Sequence, residues 1–311
     1  MKQLATVFVL LWTLHGSGQK TFTSYKKILF IGNSITYDGT FISGIETWLR
    51  LKYPEARFEI INAGLPSETV SGLSEAGHAD NRFPRPDLHE RLARVLSLVK
   101  PDVVLASYGI NDGIYMPFDE NRFEQYKQGI YWLHKEVVKS GADIVHISAP
   151  CYDERRAGNA GYENTMDRYA AWLTGLKDSG WAVIDVYHPM QKYLMAHRAV
   201  DEQFHLDGFE LARDGVHPNA NAHWLMARII LTAMNENGAD TISSIQSFVS
   251  GFRNGMAILD KIAEKQTIMK DAWLTAAGHK RPEMKKGLPL VEARKKEKAL
   301  DKVIDSLNRT R

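Results

Sequence analysis

The sequence predicts a three-layer α/β/α sandwich around a mostly parallel sheet, and three observations carry that reading. Short β-branched runs alternate with longer segments of helical period along most of the chain. The runs are almost continuously apolar, as strands covered on both faces must be. Small polar residues follow directly on several of these runs, as they do where parallel strands end at a ligand-binding rim.

In chain order, the expected strands are KILFIGN (27–33), RFEIINA (57–63), DVVLASYG (102–109), DIVHISAP (143–150) and WAVIDVY (181–187). Between them, helices are expected over 40–53, 87–99, 120–140, 163–179 and 188–200, with another after Pro218 running to Met234. Segment 120–140 shows the period well, because Phe123, Tyr126, Ile130, Leu133 and Val137 recur at three- and four-residue steps. Right-handed crossovers between such units build the sandwich. Asn33, Ser34, Gly64, Asn111 and Cys151 all follow strands, so they are expected along one rim.

Past residue 238 the character changes. Residues 238–311 hold no convincing strand and read as a helical C-terminal extension to a domain spanning 26–237, broken by AAGHKRPEMKKGLP (276–289). The last stretch is a charged helix in which Val291, Leu300, Val303, Ile304 and Leu307 are available for packing. Its many basic residues have two readings, a site for an anionic polymer or surface and the solvated face of a packing helix; the second is preferred. Trp273 and Leu274 either cover the core or border a cleft.

The chain has 311 residues, 44% hydrophobic and 24% charged, which is the composition of a globular protein able to bury a large core. A formal net charge of +2 and the lack of aromatic–basic interleaving give no argument for nucleic acid as a partner. Residues 1–18 have the layout of a signal peptide: Lys2, an apolar run from Leu4 to Leu14, then Gly16-Ser17-Gly18. That run is too short for a comfortable membrane span, so the expectation is an exported protein, secreted or periplasmic, beginning near Gln19. Cys151 is the sole cysteine, which excludes an intrachain disulfide, and a packing role is preferred for it over a nucleophilic one.

A serine hydroxyl needs a base, the base needs a group to fix its tautomer, and the reaction needs donors for the developing oxyanion. Ser34 stands where the first strand gives way to polar residues, in ILFIGNSITYDGT. LARDGVHPNANAHW (211–224) offers Asp214 and His217, three residues apart in a glycine-containing turn. A turn cap is the bland alternative for Asp214, and metal binding by His217 and His223 lacks a further ligand at an obvious spacing. Gly64 in NAGLPSET and Asn111 in GIND are candidate donors behind the second and third strands.

Taken together, Gly32-Asn33-Ser34, Gly64, Gly109-Ile110-Asn111-Asp112 and Asp214-Gly215-Val216-His217 resemble the four blocks of the SGNH (GDSL-like) hydrolases, over roughly residues 26–235. The resemblance implies the SGNH/flavodoxin-like fold, with Ser34 as nucleophile, His217 as base and Asp214 orienting the histidine. It also implies an oxyanion hole of the Ser34 and Gly64 N–H groups with the Asn111 side chain, and neither metal nor cofactor. Two departures stand out: Asn33 in the first block, and Ser67 where a further glycine is common.

The activity implied is hydrolysis of acyl esters, first of all O-acetyl esters of carbohydrates, in a small molecule or a polysaccharide. Tyr37, Asp38 and Asp112 are expected to bind substrate, with Tyr108, Tyr115 and Tyr152 nearby on a rim that suits a sugar. A lipase or lysophospholipase comes second, since no long apolar lid segment is evident. A non-catalytic carbohydrate-binding protein on the same fold is the reading from another class, and the complete serine–histidine–aspartate set argues against it.

Overall fold

A computed structural model describes residues 20–206 and 208–309. The expected signal peptide lies outside the described residues. Five parallel strands form one sheet in the order β2-β1-β3-β4-β5: β1 (Lys27–Gly32), β2 (Glu59–Asn62), β3 (Val103–Ser107), β4 (Asp143–Ile147) and β5 (Val183–Ile184). All five expected strands are present, each shorter than its apolar run. The run outlasts the strand because the chain stays buried as it turns over the rim: Tyr108, Ile110 and Ala149 are in the core.

The helices are α1 (Ser34–Asp38), α2 (Thr40–Lys52), α3 (Leu92–Val99), α4 (Glu120–Lys139), α5 (Glu154–Ala157), α6 (Tyr162–Gly175), α7 (Tyr187–Phe204), α8 (Ala220–Ala233), α9 (Ile245–Val249), α10 (Gly255–Ala277) and α11 (Leu290–Arg309). They flank the sheet to complete the α/β/α sandwich. The helix expected from residue 87 starts only at Leu92, because Asp87–Arg91 form a tighter turn and Arg91 (φ −125°) breaks the helical path. The short α1 was not expected; five residues are too few for a periodic signal. No helix among the described residues is long and apolar enough to cross a membrane.

The C-terminal helices are fastened to the sandwich rather than laid over it. α10 packs against α2, β2 and α3, and α11 packs on α10. Trp273 and Leu274 are buried, so they cover the core, and the Trp273 ring carries the Arg294 guanidinium 4.8 Å from its centroid. The fastening is ionic as well as apolar. Lys265 on α10 meets Glu46 on α2 and Asp301 on α11 (2.9 Å), while Gln266 donates to Glu46 (2.7 Å) and to the Ile60 carbonyl (3.1 Å). On α11, Arg294 pairs with Glu59 and Glu297, which explains part of the basic tail as packing charge.

The Lys265 and Glu46 side chains are 5% and 1% exposed. Removing one member of such a buried pair strands the other charge in a poorly solvated site. Lys265→Met is therefore expected to cost about 3 kcal/mol, with Arg50 and Gln266 retaining part of the compensation for Glu46. Denaturant unfolding checks this, and a cost under about 1 kcal/mol would show that the pair is not a fastening point.

Candidate active site

Ser34 sits where β1 passes into α1. Gly32 allows the turn, since a Cβ there would lie 2.2 Å from Thr36 Oγ1 and 2.6 Å from the Ser107 carbonyl. Asn33 then caps α1, its Oδ1 accepting the Ile35 N–H at 3.1 Å. This leaves the Ser34 N–H among the first-turn donors that a helix cannot satisfy internally.

The second component comes from the loop before α8. Asp214 Oδ1 accepts the N–H groups of Val216 (2.9 Å) and His217 (2.8 Å), and Oδ2 lies 2.7 Å from His217 Nδ1. The loop closes tightly at Gly215, whose φ of +79° and approach to the Asp153 carbonyl (2.5 Å from a notional Cβ) exclude other residues. Asn219 fixes its far end by capping α8. The imidazole thus reaches Ser34: Nε2 is 2.9 Å from Oγ, across 183 residues of sequence. With Nδ1–H given to Asp214, Nε2 is left as an acceptor for the hydroxyl proton. Burial would raise the Asp214 carboxyl, but the hydrogen bonds from the His217 ring and from the His217 and Val216 backbone outweigh it and hold it below the usual carboxylate range.

Asn111 follows β3 and is buried. Its amide is oriented from both ends, with Nδ2 donating to the Glu68 carbonyl (3.1 Å) and Oδ1 accepting from the Tyr115 hydroxyl (3.1 Å). One N–H of the amide remains for another acceptor. Glu68 is itself anchored from below. Its carboxylate takes a two-pronged contact from Arg91 (2.6 and 2.7 Å) and a hydrogen bond from Tyr108 (2.7 Å), and both charged side chains are fully buried.

The Gly64 N–H donates to Asn62 Oδ1 at 2.9 Å, a contact it would have to yield to serve an oxyanion. The N–H of Ser67, by contrast, has no partner among the described residues, and Ser67 holds φ at +67°. Asp112 is not at a substrate surface. It is fully buried, with Oδ1 accepting from Val70 (2.8 Å) and Ser71 (2.9 Å) and Oδ2 from Gly109 (2.9 Å), which ties the loop after β2 to the loop after β3. Tyr108 and Tyr152 are likewise buried and offer no rim surface. The Cys151 thiol is buried and pushed up to about 12, chiefly by desolvation, which leaves it inert.

Tyr37 and Asp38 do line a cleft with Ser34 and His217, of about 280 Å³. Ile35, Pro218, His223 and Lys270 complete the lining. His223 stacks on Phe41 and sets Nε2 3.2 Å from Asp38 Oδ1. Lys270 belongs to α10, and its neighbour Asp271 accepts the Tyr37 hydroxyl proton in a 2.7 Å bond. Burial and that bond push the Tyr37 hydroxyl up to about 12. No motif marks Lys270 or Asp271; only the packing of α10 brings them here. A larger cavity, about 1010 Å³, opens beside β5 at the sheet edge and contains none of these residues.

A left-handed φ costs a non-glycine residue roughly 1–2 kcal/mol, against about 0.5–1 kcal/mol of extra chain entropy lost by glycine. Ser67→Gly is therefore expected to stabilise the protein by up to about 1 kcal/mol. An unchanged or lowered denaturation midpoint would contradict that account of the loop.

The chain matches the model of the GDSL-like Lipase/Acylhydrolase family over residues 30–225. No curated protein matches it. Among solved structures, the fold is similar to that of a gut microbial diltiazem-metabolizing enzyme, with 21% identity and a TM-score of 0.53 over 70% of this chain. The match covers 48% of that enzyme, so this chain spans about half its length. It is also similar to a catalytic mutant of an acetylxylan esterase from Geobacillus stearothermophilus (22% identity, TM-score 0.51, 67% of this chain and 94% of that one). An acetyl xylan esterase, AlAXEase, gives 19% identity and a TM-score of 0.51 over 67% of this chain and 98% of the other. At these identities the likeness is one of fold.

Proposed function

This chain belongs to the GDSL-like lipase/acylhydrolase family and is a carboxylic ester hydrolase; from that premise we propose that it removes O-acetyl groups from carbohydrates with Ser34 as nucleophile. The observation that carries the reading is the relay from Asp214 Oδ2 through His217 to Ser34 Oγ, with contacts of 2.7 and 2.9 Å. As Ser34 Oγ bonds to the acyl carbon, its proton passes to His217 Nε2. The tetrahedral intermediate collapses, the alcohol leaves with that proton, and an acyl-enzyme remains. Water, deprotonated by the same nitrogen, then releases the acid and restores Ser34.

We assign the oxyanion to three donors, the Ser34 N–H, the Gly64 N–H and the remaining N–H of Asn111. The role of Asp214 is to hold the tautomer and to stabilise the imidazolium that forms. Asn111→Ala should lower kcat by about 10²–10³-fold, the usual effect of losing one such donor. A change confined to KM would make Asn111 a substrate-binding residue instead.

For the substrate, the cleft's modest size and its polar lining of Tyr37, Asp38, His223 and Lys270 favour a short acyl group on a polar alcohol. Acetylxylan esterases among the proteins of similar fold support the same class. We also read residues 1–18 as a removable export signal, which puts the working enzyme outside the cytoplasm.

Acetate release from acetylated glycans, with a long-chain ester as control, tests the reading. The expected result is turnover of the acetylated glycan, with loss of about 10⁴-fold or more in Ser34→Ala. Preference for the long-chain ester would favour a lipase, and equal rates in the two proteins would exclude Ser34.

A further inference from the structure

On the esterase reading, Asn111 offers its free N–H to the oxyanion only while its amide lies one way round, and an uncharged amide has only its neighbours to hold it. The Glu68 carbonyl accepts from Nδ2 and the Tyr115 hydroxyl donates to Oδ1, each at 3.1 Å. A half-turn of the amide would set Oδ1 against the Glu68 carbonyl, acceptor against acceptor. The hydroxyl supplies what the carbonyl cannot, a donor to Oδ1. Such a donor draws electron density from the amide nitrogen and makes its remaining N–H a stronger donor in turn.

Tyr115 reaches this position through strained backbone. Ile114 and Tyr115 hold φ at +49° and +56°, in the left-handed region that non-glycine residues avoid, a β-branched one above all. Strain of this kind persists where surrounding contacts enforce it, and it collects where geometry serves function. Here α6 enforces it. The Tyr162 hydroxyl donates to the Ile110 carbonyl (2.8 Å), the Thr165 hydroxyl donates to the Met116 carbonyl (3.1 Å), and a Cβ on Gly113 would lie 2.6 Å from the Tyr162 ring. The Tyr115 ring stacks on Tyr162, with centroids 4.9 Å apart, and carries the Arg85 guanidinium 5.2 Å from its own centroid. Glu75 fixes Arg85 in turn through two 2.6 Å contacts. Burial raises the Tyr115 hydroxyl well above the usual phenol range against the opposing pull of Arg85, so it keeps its proton and remains a donor.

We propose that Tyr115 is a positioning residue of the oxyanion hole, holding and polarising the Asn111 amide so that its free N–H meets the charge developing on the acyl oxygen. The proposal rests on the esterase reading above and on Asn111 as an oxyanion donor. It adds that α6, which carries none of the reacting groups, sets that donor through Tyr115.

The test measures hydrolysis of 4-nitrophenyl acetate by the full chain as wild type, Tyr115→Phe, Asn111→Ala and the double variant. Tyr115→Phe keeps the ring and its packing and removes only the hydroxyl. It should lower kcat by about 3–10-fold, the worth of one hydrogen bond, with KM changed by less than about twofold. In the Asn111→Ala background the same change should cost less than about twofold, because the amide it acts on is gone. A tyrosine that only supports the loop would lower kcat by the same factor in both backgrounds.

Equal losses in the two backgrounds, or an unchanged kcat in Tyr115→Phe, overturn the proposal and leave the esterase reading intact. Wild-type kcat in Asn111→Ala overturns the proposal together with the donor it rests on, and a wild type inert towards the ester overturns the esterase reading as well. If Tyr115→Phe does not fold, replacing Tyr115 with 3-fluorotyrosine, a stronger O–H donor of nearly the same size, decides the matter: kcat should rise, and an unchanged or lowered kcat overturns the proposal.

Discussion

The hydrogen bond between Ser34 Oγ and His217 Nε2 joins the end of the first strand to a loop 183 residues later, and the local architecture is arranged around keeping it short. On one side, Gly32 lets β1 press against Thr36 and Ser107 so that Ser34 emerges at the start of α1. On the other, Asp214 gathers two backbone N–H groups and the imidazole into one turn, and the Asn219 cap fixes where that turn ends. Neither loop makes chemistry alone. A parallel sheet with both loops at its carboxyl edge makes the meeting a consequence of topology.

Beneath the reacting groups lies a second, fully buried layer. The Glu68–Arg91 pair costs desolvation, but it carries the loop after β2 on a rigid base. Glu68 presents its carbonyl to Asn111 while its carboxylate stays locked to Arg91 and Tyr108. Asp112 staples the same loop to the end of β3. Donors held this way need little reorganisation as negative charge develops on a substrate oxygen, which is what makes fixed dipoles effective in catalysis. The strained φ of Ser67 is tolerated on this base, one residue before Glu68.

The sheet, its parallel sense and the run of helices were legible because buried strands and amphipathic helices leave periodic marks. The grouping of Ser34, Asp214 and His217 was legible too, since a strand end and a short turn carry their geometry in local spacing. Hydrogen-bond commitment is not local in that way. Asp112 looked exposed until three N–H groups from two loops closed around it. Lys270 lies 233 residues from Tyr37, on a segment whose sequence reads simply as a packing helix. Its place at the cleft depends on how Lys265, Gln266 and Trp273 seat α10 against the sandwich, which no spacing encodes.

Covalent labelling with a fluorophosphonate, read by intact mass and peptide mapping, tests the central claim most directly, because the reagent reports whether an activated hydroxyl exists and which one it is. The account predicts a single adduct on the peptide carrying Ser34, no adduct in Ser34→Ala, and much slower labelling in His217→Ala. An adduct mapped to another residue, or undiminished labelling of Ser34→Ala, would contradict it.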